Sequence, residues 1–293
     1  MSTTFLTGDL FHMYVGFEML LFASFVLLTL GGTQDRVRAG INYVLVNLLS
    51  SMVFLTAIGM VYAATGTVNL ARLAQRLPPL LSEDTQLALQ LMLLLGFSIK
   101  AAVFPMSAWL PDSYPTASAP GHRGVRRPAH QGRGVRDPAY PDPAVPPGDR
   151  VQTMLLVAAV LTMLVGILGA VAQDDIKRIL SYTLVSHIGY MLFGIALGNQ
   201  AGGVSAAIFY VVHHILVQTT LFLVTGLVEL RAGSTSLKSL GGLIGIAPPL
   251  TSLLYFIPPA MNLSGIPPLS GFLGKVGLIQ AGGRAGGRHW RTW

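Results

Sequence analysis

The sequence predicts an all-α protein, a polytopic bundle of transmembrane helices, and two observations support this prediction. First, 52% of the 293 residues are hydrophobic and 11% are charged, with a mean hydropathy of +0.60, which is too apolar for a water-soluble domain of this length. Second, apolar runs of about 20 residues, the length that crosses a bilayer as a helix, recur along the chain. The alternating pattern typical of strands is missing from the sequence. The chain therefore belongs in lipid, as a multi-pass protein.

The apolar runs define the predicted helices in order along the chain. Each run has the length and composition of a membrane span, and polar or turn-forming residues separate it from the next. The chain has no cysteine, which excludes disulfides and thiolate metal sites. The predicted spans are 10–30, 40–64, 87–109, 151–172, 179–197, 206–228, 243–263 and 268–281.

Two segments differ in composition from the rest and divide the chain. Residues 121–147 carry five arginines against two aspartates, and the tail at 283–293 carries three more arginines, so much of the formal net charge of +7 lies there. The remaining segments, 1–120 and 148–282, have the composition of membrane helices. We therefore treat 121–147, which separates the two membrane segments, and the tail at 283–293 as aberrant segments.

Three interpretations of the segment at 121–147 compete. A nucleic-acid-binding arm is disfavoured because Tyr140 is the one aromatic residue available for base stacking, so we expect no nucleic-acid partner. A structureless loop of this length is unusual inside a helix bundle. Reading the codons one nucleotide later yields an apolar helix with one lysine, whose codon would straddle Gln131 and Gly132. This reading predicts a frameshift, with a similar origin for the tail.

Three ionisable residues lie within predicted spans, namely Glu18, Lys100 and Lys275. A charge at the bilayer centre costs at least about 2.5 to 3.5 kcal/mol, so each is a candidate functional residue. We expect Glu18 to hold Lys100 in its charged form, and loosening of the pair to let the lysine release a proton. A static buried ion pair is the alternative for Glu18 and Lys100.

Histidines supply further candidate stations for protons, because imidazole takes up and releases a proton near neutral pH. His187 lies in one predicted span, and the adjacent His213 and His214 lie in the next. A hydrogen-bonded core histidine is an equally good interpretation of His187, whereas one member of the adjacent pair is favoured as functional. No further ligand occurs at a spacing suited to a metal, so we predict no metal site and no cofactor.

Prolines beside two of the charges predict discontinuous helices. Pro105 follows Lys100, and Pro267 and Pro268 precede Lys275. Proline removes a backbone hydrogen bond and leaves carbonyl groups and a helix-dipole end next to the charge. Two such breaks at corresponding positions are typical of ion sites in transporters built from inverted repeats. A plain proline kink is the alternative at either position.

Five motifs occur in an order that resembles a known family. They are DLFHMYVGFEMLLFASFVLL, KAAVFPMSAWLPDSYPTASAP, DDIKRILSYTLVSHIGYML, HHILVQTTLFLVTGL and GIPPLSGFLGKVGLIQAG. The family comprises the antiporter-like subunits shared by Mrp-type sodium/proton antiporters and respiratory complex I. The stretches SAWLPDSYPTA and SGFLGKVGLIQAG are most similar to the D subunit of the Mrp antiporters.

The resemblance implies two inverted five-helix repeats, with first-repeat helices in 1–120 and second-repeat helices in 148–282. It implies that protons pass along buried Lys, Glu and His side chains, with Glu18 and Lys100 as the family's ion pair. Lys275 matches the lysine of the second broken helix. The repeats are expected to be incomplete, because the chain begins at what resembles the fifth span and stops shortly after the twelfth.

One further residue matches the family pattern, and one departs from it. Lys177 matches the basic residue of the D-I-K-R motif, and Gln218 stands where many relatives carry lysine. The difference at Gln218 would leave the central relay to His213 or His214 and water.

The function implied by the resemblance is that of a non-enzymatic, proton-translocating subunit in a multi-subunit sodium/proton antiporter of the cell membrane. Its partners would be the other Mrp subunits, protons, sodium ions and the bilayer. One alternative is a proton-pumping membrane subunit of NADH:quinone oxidoreductase, whose redox centres lie in other chains. The other alternative is a non-functional pseudogene product.

Overall fold

The chain forms membrane helices joined by breaks and turns, and a computed structural model describes residues 7–29, 33–113, 149–198, 202–240 and 249–286. Ten α-helices lie within these ranges. In chain order they are α1 Leu10–Thr29, α2 Gln34–Thr65, α3 Leu70–Leu80, α4 Glu83–Lys100, α5 Trp109–Ser113, α6 Asp149–Val171, α7 Ile176–Leu197, α8 Gly203–Ala232, α9 Pro249–Ser264 and α10 Ser270–Gly286.

The predicted all-α membrane bundle is confirmed, and each of the predicted spans contains a helix. Within the described residues, four helices are long and apolar enough to cross a membrane, and Leu10–Val26 adds a shorter apolar stretch. The predicted span at 87–109 corresponds to the shorter helix Glu83–Lys100, because the chain breaks at 101–108 beside Pro105. The predicted spans at 243–263 and 268–281 correspond to Pro249–Ser264 and Ser270–Gly286, with 243–248 outside the described residues. The four long stretches are Arg36–Thr65, Arg150–Val171, Ile176–Leu197 and Gly203–Ala232.

Helices α1 to α5 form a first group around α2, which contacts α1, α4 and α5. Aromatic rings fill the space between these helices, with the Phe54 and Phe97 ring centroids 4.7 Å apart. Apolar side chains from α1, α2, α3 and α4 pack with these rings into one core. The buried members of this core are Leu10, Phe54, Ile58, Val61, Leu73 and Leu89.

Helices α6 to α10 form a second group, in which α7 packs closely on α6 and α8 contacts α7, α9 and α10. Glycines permit the close approach of α6 and α7. A Cβ atom on Gly166 would lie 2.3 Å from the Ser186 backbone nitrogen, and one on Gly189 would lie 2.6 Å from Met163 Cγ. Small residues at a helix interface serve this purpose in membranes, where close packing drives helix association.

The segment that follows α4 connects the two groups of helices. The backbone N–H of Phe104 donates to Thr162 Oγ1 of α6 at 3.1 Å. Asp112 of α5 forms an ion pair with Arg178 of α7 at 3.0 Å. The segment that follows Lys100 is therefore anchored on the second group.

The outer surface of the bundle is apolar. Phe22 of α1 is 71% exposed and Leu216 of α8 is 65% exposed. Such side chains are costly in water but suit the hydrocarbon core of a bilayer. The exposed face therefore supports a multi-pass membrane location.

Two short helices were not expected from the sequence. Helix α3 is amphipathic, with Leu73 buried and Arg72 exposed, and its Arg76 donates to the Thr65 carbonyl at 3.0 Å. Helix α5 has five residues. Both escape a search for long apolar runs because they are too short to span a membrane.

The two segments predicted to be aberrant fall largely outside the described residues. The segment at 121–147 lies wholly outside them. Of the tail at 283–293, the part up to Gly286 continues α10, and 287–293 lies outside.

Candidate functional site

The first broken helix ends at the predicted lysine. Helix α4 begins after the N-cap Ser82, whose hydroxyl accepts from the Thr85 N–H, and ends at Lys100. Pro105 lies in the break at 101–108, and its peptide bond to Phe104 is cis. The indole N–H of Trp109 donates to the Ile99 carbonyl at 3.0 Å, which satisfies one of the carbonyl groups that the helix end leaves open.

Glu18 of α1 and Lys100 of α4 form the predicted ion pair. Lys100 Nζ lies 3.9 Å from Glu18 Oε1, and the two side chains are 11% and 21% exposed, respectively. Nζ also lies 5.6 Å from the centroid of the Phe17 ring, which adds a cation–π contact. The structure therefore brings these two predicted residues together, whereas their role in proton transfer stays a prediction.

A serine that the sequence analysis did not select lies between the two charges. The hydroxyl of Ser51, on α2, accepts from Lys100 Nζ at 2.9 Å and donates to Glu18 Oε1. Its neighbour Ser50 instead donates to the Gly96 carbonyl of α4 at 2.8 Å. One serine thus contacts the charges and the other ties α2 to α4.

The second broken helix holds its lysine differently. Helix α9 ends at Ser264, α10 begins at Ser270, and Pro267 and Pro268 lie between them, joined by a cis peptide bond. Lys275 of α10 reaches back to the last turn of α9, where Nζ donates to the Ser264 carbonyl at 2.8 Å and approaches the Leu263 carbonyl at 3.4 Å. These carbonyl groups form the negative end of the α9 dipole.

A glycine and an aromatic ring complete the surroundings of Lys275. Gly265 has φ +84°, and a Cβ atom there would lie 2.9 Å from Lys275 Cδ, so a side chain at this position would crowd the lysine. Lys275 Nζ lies 5.4 Å from the centroid of the Tyr190 ring. Among the residues that the structure describes, no carboxylate forms a salt bridge with Lys275.

The three predicted histidines converge between α7 and α8. The His187 and His214 rings stack with centroids 4.6 Å apart, and His187 Nδ1 is hydrogen-bonded to the hydroxyl of Tyr210. His213 lies beside them, with its ring centroid 5.7 Å from that of Tyr210. All four side chains are buried. The structure therefore assembles His187, His213 and His214 into one cluster.

His213 connects this cluster to the second broken helix. Its Nδ1 lies 3.0 Å from Oγ of Ser270, the first residue of α10. Ser270 in turn donates to Asn262 Oδ1 at 3.3 Å, and Asn262 also accepts from the Gly271 N–H at 2.8 Å. His213 and Lys275 therefore contact the same helix break from two sides.

Several polar atoms in this region have no protein hydrogen-bond partner within the described ranges. They are Nε2 of His213, both ring nitrogens of His214 and Oε1 of Gln218. Gln218 is anchored by its Nε2, which donates to the Leu180 carbonyl at 2.7 Å. Buried polar atoms in proteins are normally satisfied by protein groups or by ordered water, so these four atoms could bind water.

A second ion pair, between a buried lysine and a more exposed glutamate, lies near the start of α7. Lys177 Nζ is 2.7 Å from Glu229 Oε2 of α8. Asp175 caps α7 by accepting from the Arg178 N–H at 3.1 Å. The basic residue of the D-I-K-R motif therefore joins α7 to the far end of α8.

The predicted site residues form two clusters. Glu18 and Lys100 make one, and the three histidines with Lys275 make the other. Among the described residues, no hydrogen bond or ring contact joins Lys100 to a histidine. The lysine expected across Gln131 and Gly132 lies outside the described residues.

Sequence analysis missed the uncharged polar residues of both clusters, chiefly Ser51, Tyr210, Asn262 and Ser270. A signal for them was present, because each lies in or beside an apolar run where a polar side chain needs a partner. That signal is weak for serine and tyrosine, since a hydroxyl can bond to its own helix or to lipid headgroups.

A membrane bundle with two discontinuous helices, each with a partly buried lysine at a helix C-terminus, has the architecture typical of ion sites in secondary transporters. More specifically, the chain belongs to the NADH:quinone oxidoreductase/Mrp antiporter transmembrane family, whose model matches residues 7–123 and 143–289. The resemblance stated from the motifs is thereby confirmed.

Relatives of known sequence are similar over nearly the whole chain. The D subunit of the Na⁺/H⁺ antiporter of Alkalihalophilus pseudofirmus is 38% identical over 288 residues, which cover 94% of this chain and 56% of that protein. The D subunit of the Na⁺/H⁺ antiporter of Bacillus subtilis is 36% identical over 287 residues, covering 96% and 57%, respectively. The chain spans about half the length of these relatives.

Solved structures show the same fold. A chain of the Mrp complex from Dietzia sp. DQ12-45-1b superposes with a TM-score of 0.80 at 34% identity, over 97% of this chain and 53% of that one. A chain of respiratory complex I from Thermus thermophilus gives a TM-score of 0.79 at 27% identity, over 96% and 60%.

Proposed function

We propose that this chain is the proton-translocating part of the D subunit in a multi-subunit sodium/proton antiporter of the cell membrane. The observation that carries the proposal is the buried Glu18–Lys100 pair, which lies beside a helix break in a chain of the antiporter family. The partners would be the other subunits of the antiporter, and the substrates protons and sodium ions. The chain itself would act as part of a transporter and would catalyse no covalent chemistry.

The ion pair couples proton movement to the separation of two charges. Removing one partner from a buried ion pair leaves an uncompensated charge and costs about 3 to 5 kcal/mol. Separation of Lys100 from Glu18 without this cost therefore requires that the lysine loses a proton and the glutamate gains one. The break after Lys100 lets the end of α4 move without unfolding the helix, which gives the pair a means of separating.

The histidine cluster provides the next stations. A neutral imidazole accepts a proton at one nitrogen while it donates from the other, so stacked histidines with unpartnered nitrogens suit a relay through water. His214 leaves both nitrogens available, and His213 leaves Nε2. Lys275, next to this cluster, would receive or supply the proton at the second break.

The alternative is a proton-pumping membrane subunit of NADH:quinone oxidoreductase. The fold similarity to the Thermus thermophilus complex favours it, but the identity of 27% is lower than the 38% shared with the D subunit of an antiporter. A protein of either complex would use the same buried groups, so the clusters alone do not separate the two functions.

One experiment separates them. The gene, expressed with its chromosomal neighbours in a host that lacks sodium/proton antiporters, should give everted vesicles in which added sodium dissipates an imposed pH gradient. Vesicles that instead pump protons on addition of NADH, and ignore sodium, would establish the alternative.

We further propose that residues 121–147 arise from a shifted reading frame. The family match ends at residue 123 and resumes at residue 143, which supports the proposal because the unmatched stretch lies within the arginine-rich segment. Resequencing of codons 120–150 should find one base missing or added. The sequence as printed would instead support a non-functional gene product.

A further inference from the structure

Ser51 offers the shortest polar connection between the two charges of the first cluster. The direct separation of Lys100 Nζ and Glu18 Oε1 is 3.9 Å, which exceeds the usual hydrogen-bond range. Ser51 Oγ lies 2.9 Å from Nζ and also donates to Oε1, so two hydrogen bonds in series join the ammonium to the carboxylate. The serine is 2% exposed and therefore shielded from solvent.

We propose that Ser51 is a relay residue whose hydroxyl passes a proton between Lys100 and Glu18. This inference rests on the proposed function, and it identifies the step by which the ion pair is neutralised. In that step one N–H bond of Lys100 breaks and its proton bonds to Ser51 Oγ. The original O–H bond of Ser51 breaks, and that proton bonds to Glu18 Oε1.

The atoms and charges of this step balance. It begins with an ammonium and a carboxylate and ends with a neutral amine and a carboxylic acid, while the serine again carries one proton. No oxidant, reductant or other reactant is needed. Both products are uncharged, so Glu18 and Lys100 can then separate without leaving an unpaired charge in the membrane.

One side of the pair is apolar and supplies no alternative path for the proton. Phe17, Phe54 and Phe97 form an aromatic wall next to the pair, with ring centroids 4.7 to 6.2 Å apart. Phe17 also lies under Lys100 Nζ. Aromatic rings cannot carry a proton by hydrogen bonding. Ser51, in contrast, is hydrogen-bonded to both charges and can carry one.

The neighbouring serine, Ser50, bonds to backbone and not to a charge. Ser50 donates to the Gly96 carbonyl of α4 at 2.8 Å. A Cβ atom on Gly96 would lie 3.1 Å from Phe54 Cβ, so the two helices are closely packed here. Ser50 therefore serves as a matched control, because it is an adjacent buried hydroxyl that bonds to backbone and not to a charge.

The transport experiment compares Ser51→Ala, Ser51→Thr and Ser50→Ala in the vesicle assay. Removal of a positioned proton-transfer group typically costs 10²- to 10⁴-fold in rate, and we expect Ser51→Ala to lower the maximal rate by about 10-fold or more, since water partly replaces a hydroxyl. The sodium concentration for half-maximal rate should stay unchanged. Ser51→Thr keeps the hydroxyl and should retain most of the rate, and Ser50→Ala should transport normally.

Two transport results would overturn the relay. One is Ser51→Ala exchanging at the wild-type rate, and the other is an equal loss in Ser50→Ala and Ser51→Ala. If Ser51→Ala does not accumulate as folded protein, Ser51→Val replaces it, since valine has the shape of the threonine variant but no hydroxyl. A wild-type rate in Ser51→Val would then count against the relay.

An infrared measurement tests the hydroxyl independently of transport. In pH-difference spectra of the purified protein, the carbonyl stretch of protonated Glu18 is assigned by its loss in Glu18→Gln. Loss of a hydrogen bond should move this band to higher wavenumber in Ser51→Ala and leave it in place in Ser51→Thr. An unmoved band would contradict the contact, whereas wild-type vesicles without sodium-dependent exchange would contradict only the proposed function.

Discussion

The two broken helices place their lysines in comparable positions but stabilise the lysine charges by different contacts. Lys100 is the last residue of α4 and faces a carboxylate and a hydroxyl from two other helices. Lys275 lies on the far side of its break and binds the final carbonyl groups of α9. Each ammonium thus lies at the C-terminal end of a half-helix, where the dipole favours a cation.

The comparison suggests that the two lysines respond to different events. A carboxylate carries a full charge and loses it on protonation, so the Lys100 environment changes when Glu18 gains a proton. Carbonyl groups carry partial charges that no proton removes, so the Lys275 environment changes only when α9 and α10 move relative to each other. The first break therefore suits a chemical switch and the second a mechanical one.

The largest expected effect is on the first cluster. Lys100→Ala and Glu18→Ala should each abolish sodium-dependent proton movement in vesicles, because each leaves one buried charge without its partner. The control is Lys238→Ala, which removes an exposed lysine that pairs with Asp174 and should transport normally. Normal exchange by either cluster variant would eliminate the switch.

The second break is tested through Gly265. In Gly265→Ala the new methyl group meets Lys275 Cδ at 2.9 Å, and alanine at φ +84° costs about 1 to 2 kcal/mol. We expect a lower unfolding temperature and slower exchange than in the wild type. Gly283→Ala is the control, since a Cβ atom there meets nothing within 4 Å and alanine favours the helix. Equal behaviour of the two variants would show that Lys275 needs no specific geometry.

The histidine cluster should separate its two adjacent members. His214→Ala is expected to slow exchange more than His213→Ala, because His214 stacks on His187 and leaves both ring nitrogens for water. His213 instead bonds to Ser270 at the second break. We therefore expect His213→Ala to lower the unfolding temperature and to change the exchange rate little. Exchange rates and unfolding temperatures measured on the same preparations check both parts. Unimpaired transport by both variants would remove the histidines from the pathway.

The sequence was sufficient for the fold class and for every charged member of the two clusters, because both follow from the cost of polar groups in lipid. Apolar length located the helices, and a charge within such a run marked Glu18, Lys100 and Lys275. The sequence did not predict which side chains meet between helices. Ser51 lies 33 residues from Glu18 and 49 from Lys100, so only the packing of α2 against α1 and α4 brings its hydroxyl between them.

The smallest expected effect distinguishes the aromatic rings that both lysines contact. Phe17 lies 5.6 Å from Lys100 Nζ, and Tyr190 lies 5.4 Å from Lys275 Nζ. A cation–π contact contributes about 0.5 to 2 kcal/mol, and its share is greater where no full negative charge is present. Tyr190→Leu should therefore slow exchange more than Phe17→Leu, because among the described residues Lys275 has only carbonyl groups besides the ring, whereas Lys100 retains Glu18 and Ser51.

Tyr190→Phe, which keeps the ring, should match the wild type in the vesicle assay. A greater loss in Phe17→Leu would mean that the ring, and not the carboxylate, dominates at the first lysine, and the distinction between a chemical and a mechanical switch would then fail.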